Sequence, residues 1–307
     1  MASKVNAKTL KARKRRRKKM LRRRILILTL IFVGFMGFKY KEKIFNLNSQ
    51  EKETVGIERE EKVNYLDKIP EEVKSSTDPI IQSLLEKANS YPEVANMLVN
   101  IDEYPIELLD LASRKDEIID FVYNYPKYDS SVNETISIKK DYKKGQIPLF
   151  IQWDERWGYE KYGSEFIAIN GCGPTALSMV VVGLTGNTDM NPKAIADFSY
   201  EQGYLVDGVG SSWTLMSEGA ESLGVNSELI PLNENVIINT LKSGQPIIAS
   251  VGPGTFTTTG HFIVLTGVDK DNKIIINDPD SKIKSKQTWD IEVIMNEAAS
   301  LWTYTAM

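Results

Sequence analysis

The chain has 307 residues, enough for one or two domains, and a hydrophobic content of 42%, ordinary for a sequence that buries a core. Its single cysteine excludes internal disulfides and Cys/His zinc clusters. The net charge of −3 conceals an asymmetry: residues 1–24 hold 13 of the 38 Lys and Arg and no acid, leaving 25 basic against 41 acidic residues in the remainder. A basic tail beside an acidic body suits two different surroundings.

The run Lys11 to Arg24 is almost continuously basic, and Ile25 to Phe38 follows as 14 residues without a charge. As a helix this apolar run spans about 21 Å, against roughly 30 Å of bilayer hydrocarbon. Lys39, Lys41 and Lys43 can snorkel, and Tyr40, Ile44 and Phe45 extend the apolar reach. The length also suits a signal peptide, but no small-x-small cleavage site follows. Residues 25–43 are therefore predicted to be an uncleaved transmembrane anchor. Residues 1–24 become a cytoplasmic basic tail, and the body is placed outside the membrane. A basic run beside a hydrophobic segment reads as a topology signal, so no nucleic-acid partner is expected.

Residues 44–78 are polar and charged and read as a linker. Residues 79–141 read as a helical spacer. Asp78-Pro79 supplies a cap and a first-turn proline ahead of Ile80, Ile81, Leu84 and Leu85. Ser90 and Glu93 form a candidate capping box before Val94, Met97 and Leu98. Pro105 opens a third helix through Leu108, Leu109 and Leu111. A fourth follows Ser113 and Asp116, with Ile118, Ile119, Phe121 and Val122.

From residue 142 to 307 the pattern is mixed. Pro174 to Leu184 is apolar nearly all round, as a buried helix is, with Gly186 past its end. Further helices are predicted from Asn191 to Gly203, Ser212 to Gly224 and Asn233 to Gly244. Strands are predicted at 246–251, 262–268, 273–277 and 301–306, with a short helix over 289–298. Helices first and strands later argue for an α+β domain with an antiparallel sheet.

The candidate chemistry rests on two residues that occur once each. Cys172 stands at the entrance of the buried helix between Gly171 and Gly173, where the helix dipole favours a thiolate and glycines let a substrate backbone approach. The alternative is a small buried hydrophobe. His261 follows a glycine-rich loop, 252–260, read as flexible, and opens an apolar strand, a suitable mount for a base; the alternative is an ordinary strand-end histidine. Strands 262–268 and 273–277 form a hairpin around Asp269 to Asn272. If Val268 faces Lys273, Asp280 lies opposite His261 and Asp278 shares its face, whereas Asn277 does not. Asp278 is the predicted orienting residue, with Asp280 and Asn277 in reserve. Asp269-Lys270-Asp271-Asn272 lacks the glycine and closing glutamate of a calcium loop, and Gly208 to Trp213 lacks the context of a nucleotide loop. No metal and no cofactor are expected.

Four motifs in order then carry a resemblance: Gln152-Trp153-Asp154-Glu155-Arg156-Trp157-Gly158, Gly171-Cys172-Gly173-Pro174-Thr175, Gly260-His261-Phe262 and Asn277-Asp278-Pro279. Over residues 146–307 the chain resembles the C39-like cysteine peptidases, which implies a papain-like fold. The resemblance further implies Cys172 as nucleophile, His261 as base and Asp278 as orienting residue. Gln152 is its candidate for the glutamine that helps stabilise the oxyanion; it lies 20 residues before Cys172, farther than in the leader-cleaving branch. Trp153 and Trp157 read as core or cleft-wall residues. The expectation is a membrane-anchored, outward-facing peptidase acting on a peptide or protein substrate. The alternatives are a thioester-forming amidase or acyl/peptidyl transferase acting on cell-wall peptides, and a catalytically silent binding domain. Oligomeric state is left open.

Overall fold

The computed structural model describes residues 65–130 and 135–307. The predicted tail 1–24, anchor 25–43 and most of the linker lie outside the described residues. Among the described residues, no helix is long and apolar enough to cross a membrane.

Among the described residues, regular structure is already present inside the predicted linker, with a 3-10 turn at Tyr65–Lys68 and a helical turn at Glu71–Lys74. Ile69 and Val73 are buried there, and Tyr65 and Leu66 pack beside them, so four apolar side chains suffice to fasten an otherwise charged stretch. The helices α1 (Pro79–Ala88), α2 (Pro92–Val99), α3 (Ile106–Arg114) and α4 (Ile119–Asn124) follow. Asp78 caps α1, its carboxylate accepting from the N–H groups of Ile80 at 2.8 Å and Ile81 at 3.4 Å. The capping box at Ser90 and Glu93 does not form. Pro92 fills the first turn of α2 and makes Tyr91 the cap, with no side-chain bond.

The apolar stripes of α1 to α4 converge on a core holding Leu84, Val94, Met97, Leu108 and Val122. That core also takes Ile151, Trp153, Tyr159, Phe166 and Ala168 from beyond residue 141. Tyr159 stacks on Phe121 at 4.2 Å, and its hydroxyl donates to the Phe121 carbonyl at 2.5 Å. The predicted spacer and the following domain are thus parts of one compact unit, Asn64–Met307.

The second half is an α+β arrangement. Helix α5 (Cys172–Thr185) is buried through most of its length and ends where Gly186 turns left-handed at φ 71°. After α5 come α6 (Pro192–Glu201), α7 (Glu234–Lys242) and α8 (Ile291–Glu297). The sheet contains β1 (Val225–Ile230), β2 (Ile247–Val251), β3 (His261–Val268), β4 (Ile274–Asn277), β5 (Thr288–Trp289) and β6 (Ala298–Ala306). Its order is β1-β6-β2-β3-β4-β5, and every neighbouring pair is antiparallel. One face, with Ile248, Phe262, Val264, Trp302 and Tyr304, packs against α5. The other, with Ile247, Ala249, Ile263, Leu265 and Ile276, is covered by Ile237 and Leu241 of α7 and Ile294 of α8. β2 is buried at every position, as a strand covered on both faces must be.

Three predictions for this half are corrected. The helix expected over 212–224 is broken into a 3-10 turn, Trp213–Met216, and a short helix, Glu218–Ser222. The strand β1 was not anticipated; its outward positions are polar or exposed and mask the alternation. At the β3–β4 turn Val268 faces Ile274, one residue from the predicted register. A bulge between Leu265 and Gly267 shifts the pairing, so that Val264 faces Asn277, which is the register predicted for the end near His261.

Candidate active site

Cys172 is the first residue of α5 and is partly exposed. The two glycines beside it answer to internal packing. A Cβ on Gly171 would lie 2.4 Å from the Ile167 carbonyl, and one on Gly173 would lie 2.5 Å from Ser211 Oγ. Ser211 is held by the buried Tyr162 hydroxyl at 2.9 Å, which also bonds Ser199 at 2.6 Å. The need for glycine, read from the sequence as room for substrate, is therefore also a need for room within the protein.

His261 opens β3, paired with Val251. The preceding loop, predicted to be flexible, is pinned. The Glu297 carboxylate accepts from the N–H of Thr255 at 2.8 Å, Lys284 Nζ donates to the Phe256 carbonyl at 2.8 Å, and Phe256 is buried against Trp289. The buried imidazole Nε2 lies 2.7 Å from Asp278 Oδ1. A carboxylate only accepts, so Nε2 is the donor and Nδ1 is the nitrogen left for the sulfur. The groups that act on the Cys172 thiol are the His261 side chain and the backbone N–H groups of Phe262 and Gly173.

These contacts decide the protonation of the pair. Burial pushes the Cys172 thiol up, but the imidazole and the two N–H groups outweigh it and hold the thiol below its ordinary value. Burial pushes His261 down, but Asp278 and then Cys172 reverse this and raise it to about 9. The lowered thiol and the raised imidazole both shift the pair toward a thiolate beside an imidazolium, which is the chemical state of an activated sulfur nucleophile.

Asp278 is fully buried. Besides His261, its Oδ1 accepts from the Asp280 N–H at 2.9 Å, and Ser285 Oγ accepts from the Asp278 N–H at 2.8 Å. Asp278 Oδ2 is buried without a hydrogen-bond partner among the described residues. The two reserves are engaged elsewhere: Asp280 pairs with Lys115, and Asn277 Nδ2 donates to the carbonyls of Ile147 at 3.2 Å and Pro148 at 3.0 Å.

Gln152 is buried beside the site. Its Nε2 donates to the carbonyls of Ala168 at 2.8 Å and Ile169 at 3.4 Å, and its backbone N–H donates to Pro279 at 2.8 Å. It therefore ties the segment before Cys172 to the segment after Asp278. Trp153 is buried and donates to the Asp280 carbonyl at 3.1 Å, with Lys282 over its ring; Trp157 is a core residue against Phe150. Sequence reasoning missed Ser285, Lys115 and Glu117. Lys115 and Glu117 carry no signal of contacts made some 165 positions away, and Ser285, although close in sequence to Asp278, stands in no motif. Among the described residues there is no cluster of three or more His, Cys, Asp or Glu side chains suited to a metal ion.

A model of the family described as "Peptidase_C39 like family" matches residues 144–307. Two solved structures are similar. One is the peptidase domain of Streptococcus ComA, described as a bi-functional ABC transporter involved in a quorum sensing pathway. It is 22% identical, the match covers 45% of this chain and 93% of that one, and the TM-score is 0.36. The other is a double glycine motif protease from an AMS/PCAT transporter in complex with the leader peptide, with 19% identity, 53% and 94% coverage and a TM-score of 0.32. No curated protein matches the chain.

Proposed function

Because the chain belongs to the Peptidase_C39-like family, we propose that it is a cysteine peptidase that hydrolyses peptide bonds through Cys172, His261 and Asp278. The observation that carries this reading is the buried His261–Asp278 bond of 2.7 Å, with the imidazole acting in turn to lower the Cys172 thiol. The thiolate attacks the substrate carbonyl, a C–S bond forms, and the carbonyl π pair moves to oxygen. Backbone N–H groups at the start of α5 stabilise that oxyanion, and the Gln152 amide joins them only by turning from the Ala168 and Ile169 carbonyls that it holds here. As the tetrahedral species collapses, the His261 imidazolium gives its proton to the departing amine and a thioester remains. Neutral His261 then takes a proton from water, hydroxide adds to the thioester, and the C–S bond breaks to return the thiolate and release a carboxylic acid. Asp278 holds the ring so that Nδ1 faces the sulfur in both halves of the cycle. A papain-like fold for residues 142–307 belongs to the same reading, supported by the helix bearing the cysteine and the antiparallel sheet bearing the histidine.

The membrane placement rests on sequence: basic residues 1–24 before the apolar run direct the body to the outer side. One experiment tests both parts. Peptides released from intact cells are profiled by mass spectrometry with the wild-type chain and with Cys172→Ala. New peptide ends are expected only with the wild type, on substrates outside the membrane. Identical profiles would remove the peptidase reading. Cysteine-dependent ends confined to the lysate would remove the outward placement. Cysteine-dependent crosslinked products without new ends would favour an acyl or peptidyl transferase.

A further inference from the structure

The helical segment before residue 130 reaches the loop that carries Asp278. At the turn between α3 and α4, Glu117 Oε1 accepts from Ser281 Oγ at 2.5 Å. Its Oε2 accepts from the backbone N–H of Lys282 at 2.9 Å and of Ile283 at 3.3 Å. One carboxylate thus satisfies three donors of the loop. Two residues earlier, Lys115 forms an ion pair and hydrogen bond with Asp280, whose own N–H is bonded to Asp278 Oδ1. Inside the loop, Ser285 Oγ accepts from the Asp278 N–H and donates to the Ser281 carbonyl at 2.7 Å, so a force on Ser281 reaches Asp278 through one side chain.

We propose that Glu117 and Lys115 are positioning residues for the active site, fixing the 278–283 loop so that Asp278 stays against His261. This rests on the peptidase reading above, in which Asp278 orients the imidazole. The helical segment thereby becomes part of the catalytic apparatus in the same chain without touching substrate.

Two features favour a positioning role over simple adhesion. The contacts are charged and converge on this one loop, whereas the other hydrogen bonds of the shared surface, Asn124 to Glu155, Tyr128 to Glu160 and Tyr159 to Phe121, lie away from it amid apolar residues such as Phe121, Trp153 and Phe166. Directional bonds fix a geometry, and apolar burial does not. Lys115 is also poorly placed for stability. Burial lowers it to about 8, with Asp278 acting in the opposite sense, so the ammonium sits by a buried carboxylate at a desolvation cost. Asp278 Oδ2 has no hydrogen-bond partner among the described residues, and a nearby fixed cation offsets its charge.

The test reads the imidazole through the sulfur and needs no substrate. Full-length protein is alkylated with iodoacetamide across pH, and the rate at Cys172, the only thiol, is followed. The titratable groups around the site are His261 and Tyr162 near the sulfur, Asp278, Asp280 and Lys284 on the loop, and Lys115 and Glu117 from the helical segment. In Glu117→Ala a displaced Asp278 supports the imidazolium less, and the thiolate in turn loses its cation. The midpoint of the acid limb is expected to rise by about half to one pH unit, with the rate below it falling about 3–10-fold and the alkaline plateau unchanged. Glu117→Gln, which keeps one acceptor, is expected to lie between. Circular dichroism monitors folding, because an unfolded fraction would alkylate as an ordinary thiol and add a separate phase at higher pH, whereas a displaced Asp278 moves the midpoint of the whole folded population. If Glu117→Ala does not fold, Glu117→Gln and Ser281→Ala carry the comparison.

Asp278→Asn separates the two ways of failing. If it moves the midpoint and folded Glu117 variants do not, the positioning role is wrong and the reading of Asp278 stands. If it leaves the profile unchanged, the orienting role of Asp278 falls, and the positioning role with it.

Discussion

The sulfur of Cys172 is subject to opposing influences, burial against an imidazole and two N–H groups, and the second set prevails. His261 is held up to about 9, chiefly by Asp278 against the pull of burial. The sign of the resulting pH dependence follows. Below the lowered value of Cys172 both groups are protonated and the thiol is inert. Above about 9 the imidazolium is lost, and with it the proton for the leaving amine. Amide hydrolysis is therefore expected to follow a bell whose acid limb lies below the ordinary thiol range. His261→Ala should lower kcat by roughly 10²–10⁴-fold and move Cys172 alkylation to higher pH, because burial is then opposed only by the Phe262 and Gly173 N–H groups. An alkylation profile unmoved by that change would show that the two side chains do not share a proton. At this scale the sequence was informative wherever a residue was rare or its neighbours alternated. Cys172 and His261 each occur once, and strand alternation separated Asp278 from Asn277. Lys115 and Glu117 were not legible, because only tertiary packing brings them to the loop, and Ser285, seven residues after Asp278, stands in no pattern that marks it.

Among the elements, α5 was legible because it is apolar all round and ends on a glycine, and its entrance explains a second constraint. Gly173 lies against the two-residue strand Gly210–Ser211, pairing with Leu205–Val206, and a Cβ there would also meet the side-chain carbon of Ser211 at 2.7 Å. Ser211 cannot retreat easily, since Tyr162 holds it. Gly173→Ala is expected to cost about 1–3 kcal/mol, read as a lower midpoint in denaturant, and to slow Cys172 alkylation by displacing the sulfur. Gly260→Ala is the control. A Cβ at Gly260 would meet nothing within 4 Å and its φ is not positive, so stability should change by less than about 0.5 kcal/mol. Equal losses in the two variants would contradict the packing account. Elements that escaped the sequence did so for local reasons. The small hairpins are two residues per strand, too short for a period, and β1 shows no clean alternation. The β3–β4 register was right near His261 only because a bulge absorbed a one-residue error at the turn.

At the scale of the whole molecule, the family match begins at residue 144, yet the core it needs begins earlier. Trp153, Tyr159 and Phe166 are buried against the helical segment, and Tyr159 also spends its hydroxyl there. Hydrophobic periodicity revealed the four helices but not their partner, because a stripe says which face is covered and not what covers it. Without residues 65–130, three aromatic side chains, each able to bury roughly 150–250 Å², would face water. If the helices cover about half of that area, the loss at about 25 cal/mol per Å² is roughly 6–9 kcal/mol, comparable with the roughly 5–15 kcal/mol stability of a whole domain. A fragment of residues 142–307 is therefore expected to aggregate, or to lack a cooperative transition in near-ultraviolet circular dichroism, while residues 65–307 unfold as one body. The loop carrying Asp278 would also lose Lys115 and Glu117. A soluble fragment should thus alkylate at Cys172 with a midpoint shifted toward that of an ordinary thiol, by at least as much as in Glu117→Ala. Cooperative unfolding of the fragment at the midpoint of the longer chain would show that the helices are an appendage and that the peptidase half closes its own core.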